Sequence, residues 1–343
     1  MKLRSPMRRW WPALVAVVAV VAAATTLVIV TRTSDDALVV YNGRSHYGGE
    51  EAFAAFTRET GIEVKLFGGD AQTLHDRLKS EGSRTKADLL VTVDGANLAR
   101  AKDEGLLAEV DSDVIDEVIP PALRDPDHTW TAVSTRVRTL VRSTERVPAD
   151  ALGSYTDLGD PRWKGRVCLR TSNNIYNQSL VADFIAKRGE AATETLLRSW
   201  MANDPRILGN DVQVLEDIKA GRCDIGLVNH YYLARLLEKD ADFPVTPAWP
   251  DQFGDGVHAN LSGAGVVKAT DRRADAVRLL EFLVQREAQG AIAENGEFPA
   301  NRDVAPIDIV KPWRNVKLDP IDGPGAAEHA ADAVALMQRV GWE

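Results

Sequence analysis

The sequence predicts an α/β protein of two lobes behind an N-terminal transmembrane helix. Three observations carry that expectation. Strand patterns alternate with helix patterns, two long extended stretches join one series to the next, and an uncharged apolar run lies near the start. The chain has 343 residues, 45% hydrophobic and 27% charged, enough for two cores. Its net charge of −9 argues against nucleic acid, whose phosphates need a basic face.

Lys2, Arg4, Arg8 and Arg9 precede "WWPALVAVVAVVAAATTLVIV" over 10–30, which holds no charge. At about 1.5 Å per residue the run reaches roughly 31 Å, enough to cross a bilayer core. The basic cluster is expected to stay cytoplasmic, with everything after Arg32 outside. Alanines at 22–24 offer a signal-peptidase site, and "RRWW" faintly resembles a twin-arginine export signal. The continuation of the run to Val30 favours an uncleaved anchor over 1–33. No cysteine lies beside it to take a lipid.

A strand is expected over 37–41, then a helix in "GGEEAFAAFTRETG", with Phe53 and Phe56 spaced by three and Gly61 as its stop. "IEVKLF" alternates as a strand does. "DAQTLHDRLKSEG" reads as a helix with Asp70 as N-cap and Gly82 just past its end. "ADLLVTV" is a buried strand and "NLARAKDEG" a helix. Such alternation predicts a mostly parallel sheet with helices on both faces. Residues 129–144 form a long alternating strand. A second series follows: strand "GRVCLR", helix "NQSLVADFIAKRG", a helix over 190–203, helix "DVQVLEDIKAG", strand "CDIGLVN" and helix "YYLARLLEKD". "GVHANLSGAGVVKAT" is glycine-rich and extended, and a single helix is expected over 272–289. The end, "AAEHAADAVALMQRVGWE", reads as an amphipathic helix.

Crossovers near Val133 and Asn260 divide the chain. The first lobe takes 37–133 plus 260–312, and the second takes 134–259 plus 313–343. A ligand is expected where the lobes face each other. The only cysteines are Cys168 and Cys223. An even count in an exported chain is compatible with a disulfide, and export favours that bridge over two buried free thiols. No G-x-S-x-G, H-E-x-x-H or P-loop is present, so no enzyme is expected.

The chain has six tyrosines, and four follow strand ends: Tyr47, Tyr176 and the adjacent pair Tyr231 and Tyr232. In open parallel sheets the ligand crevice lies outside the carboxyl ends of the strands. A phenol with a pKa of about 10 is neutral unless a cation stabilises its anion. A hard trivalent ion does that and prefers oxygen, which points to ferric iron. The plain alternative is that tyrosine, with an apolar ring and wet tip, lines cavities of many kinds. On position alone both readings stay open.

The blocks "YNGRSHYGGEEAFAAFTRETGIEV", "ADLLVTVDGANLARAKDEGLL", "TRVRTLVRS", "YTDLGDPRWKGRVCLRTSNNIYNQSLVA", "AGRCDIGLVNHYYLARLL" and "GVHANLSGAGVVKAT" occur in that order. Together, from about 38 to 301, they resemble the ferric-iron-binding proteins of ABC iron uptake, which are type II periplasmic binding proteins, also called bacterial transferrins. The resemblance implies a two-lobed Venus-flytrap fold that shuts on one Fe(III) and passes it to a membrane permease. By the same resemblance the family's paired tyrosines match Tyr231 and Tyr232, its first-strand His-Tyr matches His46 and Tyr47, and a further tyrosine matches Tyr176. One branch uses a first-lobe carboxylate and a synergistic anion. Val93 stands where that carboxylate would be, so the tyrosine-rich branch is the closer match. No ligand role is carried onto Asp94, and an accompanying anion stays open.

Four phenolates on Fe³⁺ leave a net charge of −1, which needs a partner when buried. The resemblance makes Arg136 the expected one, with Arg44 near the first-lobe ligand, while Arg138 is expected on a solvated strand face. His46 stands as a ligand, an outer hydrogen-bond donor or a spectator. His230 departs from the family pattern, either bonding a ligand or capping its helix, and "HANLSGAG" is expected to shape the hinge. The expected protein is a monomer. Two competing readings are a binder of a small anionic or organic solute, using Arg136, Asn173 and Asn174, and a sensor domain for a membrane partner.

Overall fold

The computed structural model describes residues 36–44, 50–321 and 323–343. The anchor expected over 1–33 lies outside them. No helix among the described residues is long and apolar enough to cross a membrane.

From Leu38 onward the chain is one compact unit. It opens with β1 (Leu38–Asn42), α1 (Glu50–Thr60), β2 (Val64–Gly68), α2 (Ala71–Glu81), β3 (Leu89–Thr92), α3 (Gly95–Asp103) and α4 (Asp113–Val118). The 13-residue strand β4 (Thr131–Ser143) leads to a second series. That series is β5 (Val167–Arg170), α5 (Ile175–Arg188), α6 (Glu190–Met201), β6 (Arg206–Leu208), α7 (Asp211–Lys219), β7 (Ile225–Asn229), α8 (His230–Lys239) and β8 (Val245–Ala248). The chain returns through β9 (Ala259–Val266), α9 (Arg273–Val284), α10 (Arg286–Ala293) and β10 (Phe298–Pro299). It ends with α11 (Gly323–Glu328) and α12 (Ala330–Arg339).

The strands line up as β2-β1-β3-β9-β4-β7-β5-β6, with β8 and β10 also paired to β4. Each flank is parallel: β1 with β2 and β3, and β5 with β6 and β7. The middle is antiparallel, because β4 and β9 run against each other and against β7 and β3. The expected parallel sheet therefore holds within each half but not where the two long crossing strands meet.

Local chemistry explains the first helices. In α1, Phe53 and Phe56 are buried on one face, each gaining about 1.5–3 kcal/mol by leaving water, and Gly61 takes φ 70° just past its end. In α2, Asp70 Oδ1 accepts from the amide of Thr73 at 2.9 Å, and Gly82 follows the last turn.

The single helix expected over 272–289 is two. It breaks at Gln285, whose backbone is extended (φ −81°, ψ 164°). Side-chain amides take the carbonyls that a continuing helix would have used. Gln289 Nε2 donates to Leu283 O at 2.7 Å, and Asn301 Nδ2 donates to Val284 O at 2.7 Å. The C-terminal amphipathic stretch is likewise broken, at His329 between α11 and α12.

Two main cores form. One joins Leu38, Phe56, Leu89 and Val133 to Leu261, Val266 and Leu283. The other joins Leu140, Leu180, Trp200 and Ala248 to Leu336 and Trp342, with the Trp200 and Trp342 rings 5.9 Å apart. Between them lies a small cluster of Val137, Ala259, Phe298 and Val310. Cys168 and Cys223 are joined in a disulfide, tying β5 to the residue pair ahead of β7.

Candidate metal centre

Strand β7 is apolar and fully buried until Asn229, where α8 begins. Tyr231 and Tyr232 therefore occupy the first turn of a helix, where neighbours diverge by only about 100° rather than the 180° of a strand. Their ring centroids lie 4.4 Å apart. Tyr231 is buried, and its hydroxyl accepts from Asn229 Nδ2 at 3.3 Å. Tyr176 stands in the first turn of α5, fixed there by Asn174, whose Oδ1 accepts from the Tyr176 amide at 3.0 Å. The Tyr176 side chain adjoins Tyr231 closely enough to influence its phenol. Three of the four expected tyrosines thus meet. Tyr47 and His46 fall in 45–49, outside the described residues.

Burial raises the Tyr231 phenol above its ordinary value. The Arg136 guanidinium opposes that, Glu297 adds to it, and the neighbouring Tyr176 and the Asn229 hydrogen bond also oppose it. Without a cation Tyr231 is a neutral phenol at neutral pH.

Arg136 lies over the ring of Tyr176, 5.0 Å from its centroid. It donates to Val93 O and to Ser262 Oγ, and among the described residues it makes no ion pair with a carboxylate. Arg44 differs, because its charge is answered elsewhere. Its guanidinium lies 3.0 and 3.2 Å from the two oxygens of Glu297 and 2.9 Å from Ser134 Oγ. Glu297 is itself buried. Burial would raise its carboxyl, but Arg44 and the Ser134 hydroxyl outweigh that and lower it.

Arg138 is not on a solvated face. It is 2% exposed and grips Asp211 with two bonds of 2.8 and 3.2 Å. The cause is topological: β4 has β9 or β7 on its flanks and helices over it, so the same-face pair Arg136 and Arg138 points into protein. His230 neither caps α8 nor joins the tyrosines' hydrogen bonds. Its Nδ1 accepts from the Val137 amide at 3.3 Å, and its ring stacks on Phe298 at 4.4 Å. Burial pushes it down to about 3, so it is neutral.

Asn229, His258 and Asn260 join Arg136, Arg138 and Tyr176 around a small cavity. His258 and Asn260 come from "HANLSGAG", which both crosses between the halves and lines this space. Of the asparagines invoked for an anionic solute, Asn174 caps α5 through its Oδ1, and Asn173 Oδ1 accepts from Thr171 Oγ1 at 2.7 Å. Among the described residues one group of His, Cys, Asp and Glu is dense enough for a metal: Cys168, Asp217 and Cys223. Its sulfurs are bonded to each other, and Asp217 carries Arg206 and Arg222. Glu297 and Asp211 were not singled out by sequence, and nothing in their neighbourhoods marks them.

Two α/β halves joined by long crossing strands, with side chains converging between them, define an extracytoplasmic-type solute-binding protein. Residues 84–319 match the family described as bacterial extracellular solute-binding protein, and the chain belongs to that family. Iron uptake protein A1 of Synechocystis sp. is 37% identical over 312 residues, covering 89% of this chain and 87% of that protein. The major ferric iron-binding protein of Neisseria meningitidis is 28% identical over 314 residues, covering 89% and 93%. Among solved structures, a Trichodesmium protein in complex with iron and citrate ligands superposes with TM-score 0.81 at 37% identity, over 90% of this chain and all of that one. The ferric binding protein from Campylobacter jejuni gives 0.83 at 30% identity, over 89% of this chain and all of its own.

Proposed function

We propose that this chain is the extracytoplasmic Fe(III)-binding component of an ABC iron transporter. The observation that carries the reading is the meeting of Tyr176, Tyr231 and Tyr232 beside Arg136, in a chain whose relatives are named for iron uptake and ferric iron binding. Tyr47 completes four phenolates, and His46 is the adjoining candidate ligand. The first lobe, 37–133 plus 260–312, brings His46 and Tyr47. The second, 134–259 plus 313–343, brings the other three.

Binding exchanges protons for the ion. Tyr231 is a neutral phenol without cargo, and each phenol gives up its proton when Fe(III) takes its oxygen. Four phenolates on Fe³⁺ carry −1. Arg136 offsets that charge, since Arg44 and Arg138 are already paired with Glu297 and Asp211. Segment 1–33 holds the domain to the membrane surface, and a permease receives the ion. No catalytic step is involved.

The test is elemental analysis and a visible spectrum of the full chain purified without chelators. One Fe per chain is expected, with a phenolate-to-iron charge-transfer band that acid bleaches. Replacing Tyr231 and Tyr232 together by Phe is expected to abolish both iron and colour. A colourless wild-type protein that ignores chelated Fe(III) overturns the reading.

A further inference from the structure

Asp94 follows β3, which belongs to the first core, and Ser179 lies in α5, which belongs to the second. Both are buried, and they touch across the gap between the halves: Ser179 Oγ lies against Asp94 Oδ2 in a short hydrogen bond. The same Oδ2 accepts from Asn260 Nδ2 at 2.7 Å, where Asn260 sits on the crossing strand β9. The other oxygen caps α3, taking the amides of Ala96 at 2.8 Å and Asn97 at 3.3 Å. Asp94 makes no ion pair among the described residues. Its charge is held by these four donors from the first half, the crossover and the second half.

We propose that Asp94 and Ser179 form a latch that draws the two lobes shut independently of cargo, and that Asp94 is thereby a positioning residue for Tyr176. Ser179 is three residues after Tyr176 on the same helix, so fixing one registers the other. The latch is reversible by construction. The Ser179 hydroxyl has one proton and two acceptors in reach, Asp94 Oδ2 and, within its own helix, Ile175 O at 2.8 Å. A carboxylate outcompetes a peptide carbonyl while the lobes are together. When they part, the hydroxyl falls back on Ile175 O, and Asp94 keeps Asn260 and its cap. Neither group is orphaned, so opening costs one charge-assisted bond. That is on the order of a tenfold change in the closed-to-open ratio.

The link to Tyr176 rests on the iron reading; the latch itself does not. The full chain is compared with Ser179→Ala, Asp94→Asn and the double variant, because asparagine preserves the helix cap while turning a donor toward Ser179. Small-angle scattering of the iron-free chains and iron release to a competing chelator are measured. Each single variant is expected to enlarge the radius of gyration and speed release about tenfold, with the double variant adding little to either. The visible band of iron-loaded Ser179→Ala is expected to shift, because Tyr176 loses its register, and an unmoved band overturns the positioning role. Unchanged scattering and release, fully additive effects, or a lowered melting temperature without expansion each overturn the latch. A wild-type chain that takes no iron overturns the iron reading alone, and the iron-free scattering still decides the latch.

Discussion

The five described tyrosines divide by their surroundings. Tyr41 donates to Glu81 at 2.6 Å beneath Arg77, far from the crossing strands. Tyr155 is fully buried, donates to Arg138 O and accepts from the His258 amide at 3.0 Å, and burial holds its phenol well above its usual range. Tyr231 lies between the other two, its ring 4.4 Å from that of Tyr232 and its phenol influenced by Tyr176. Tyr41→Phe is expected to leave iron binding intact and cost about 1 kcal/mol in a denaturant melt. Tyr176→Phe is expected to weaken Fe(III) about 100-fold or more by competitive chelation, since losing a ligand costs no less than losing its supporting partner. Acid also acts on Asp183. Burial would raise its carboxyl, but the His258 hydrogen bond and charge and the Lys187 ammonium outweigh burial and bring it from 3.8 to about 2. The folded state therefore favours the ionised form. That contribution, on the order of 2 kcal/mol, is complete above about pH 4 and is lost as pH falls through about 2. Melts of wild type and Asp183→Asn are expected to converge over that window. The tyrosines were legible because phenols are scarce in this chain and fall at strand ends. Glu297 and Asp211 were not, because a charge is buried only when its partner arrives, from 253 and 73 residues away.

At the scale of elements, the strands and most helices followed from period and caps, with Asp70, Gly61 and Gly82 each acting where expected. The break at Gln285 did not, because no proline or glycine signals it; it depends on amides from Gln289 and Asn301 reaching two carbonyls. Pairing direction at β4 and β9 was also hidden, since alternation says which face is buried and not which way a neighbour runs. The Cys168–Cys223 bridge spans 55 residues, including all of α5, α6 and α7. Reduction is expected to cost about 2–4 kcal/mol, read as a lowered melting temperature with and without a thiol reductant.

Across the whole molecule, β4 belongs to both halves: it pairs with β9 and β10 at one end and with β7 and β8 at the other. Its register shifts between Ala132 and Ser134, and the arginines that face the cavity follow directly. Cargo that binds only the folded, shut form stabilises it by mass action. Saturating Fe(III) at about 100 times the dissociation constant is expected to add about 2.7 kcal/mol, measured as a rise in melting temperature. Tyr155, outside the tyrosine cluster, adds one more constraint. Tyr155 stitches the carbonyl of Arg138 to the amide of His258, so the two linking strands cannot slide past each other where they leave the second half. Parting the halves is then a flexure along one line, as of a leather strap sewn at its edge, and a bound solute leaves along a single fixed bearing.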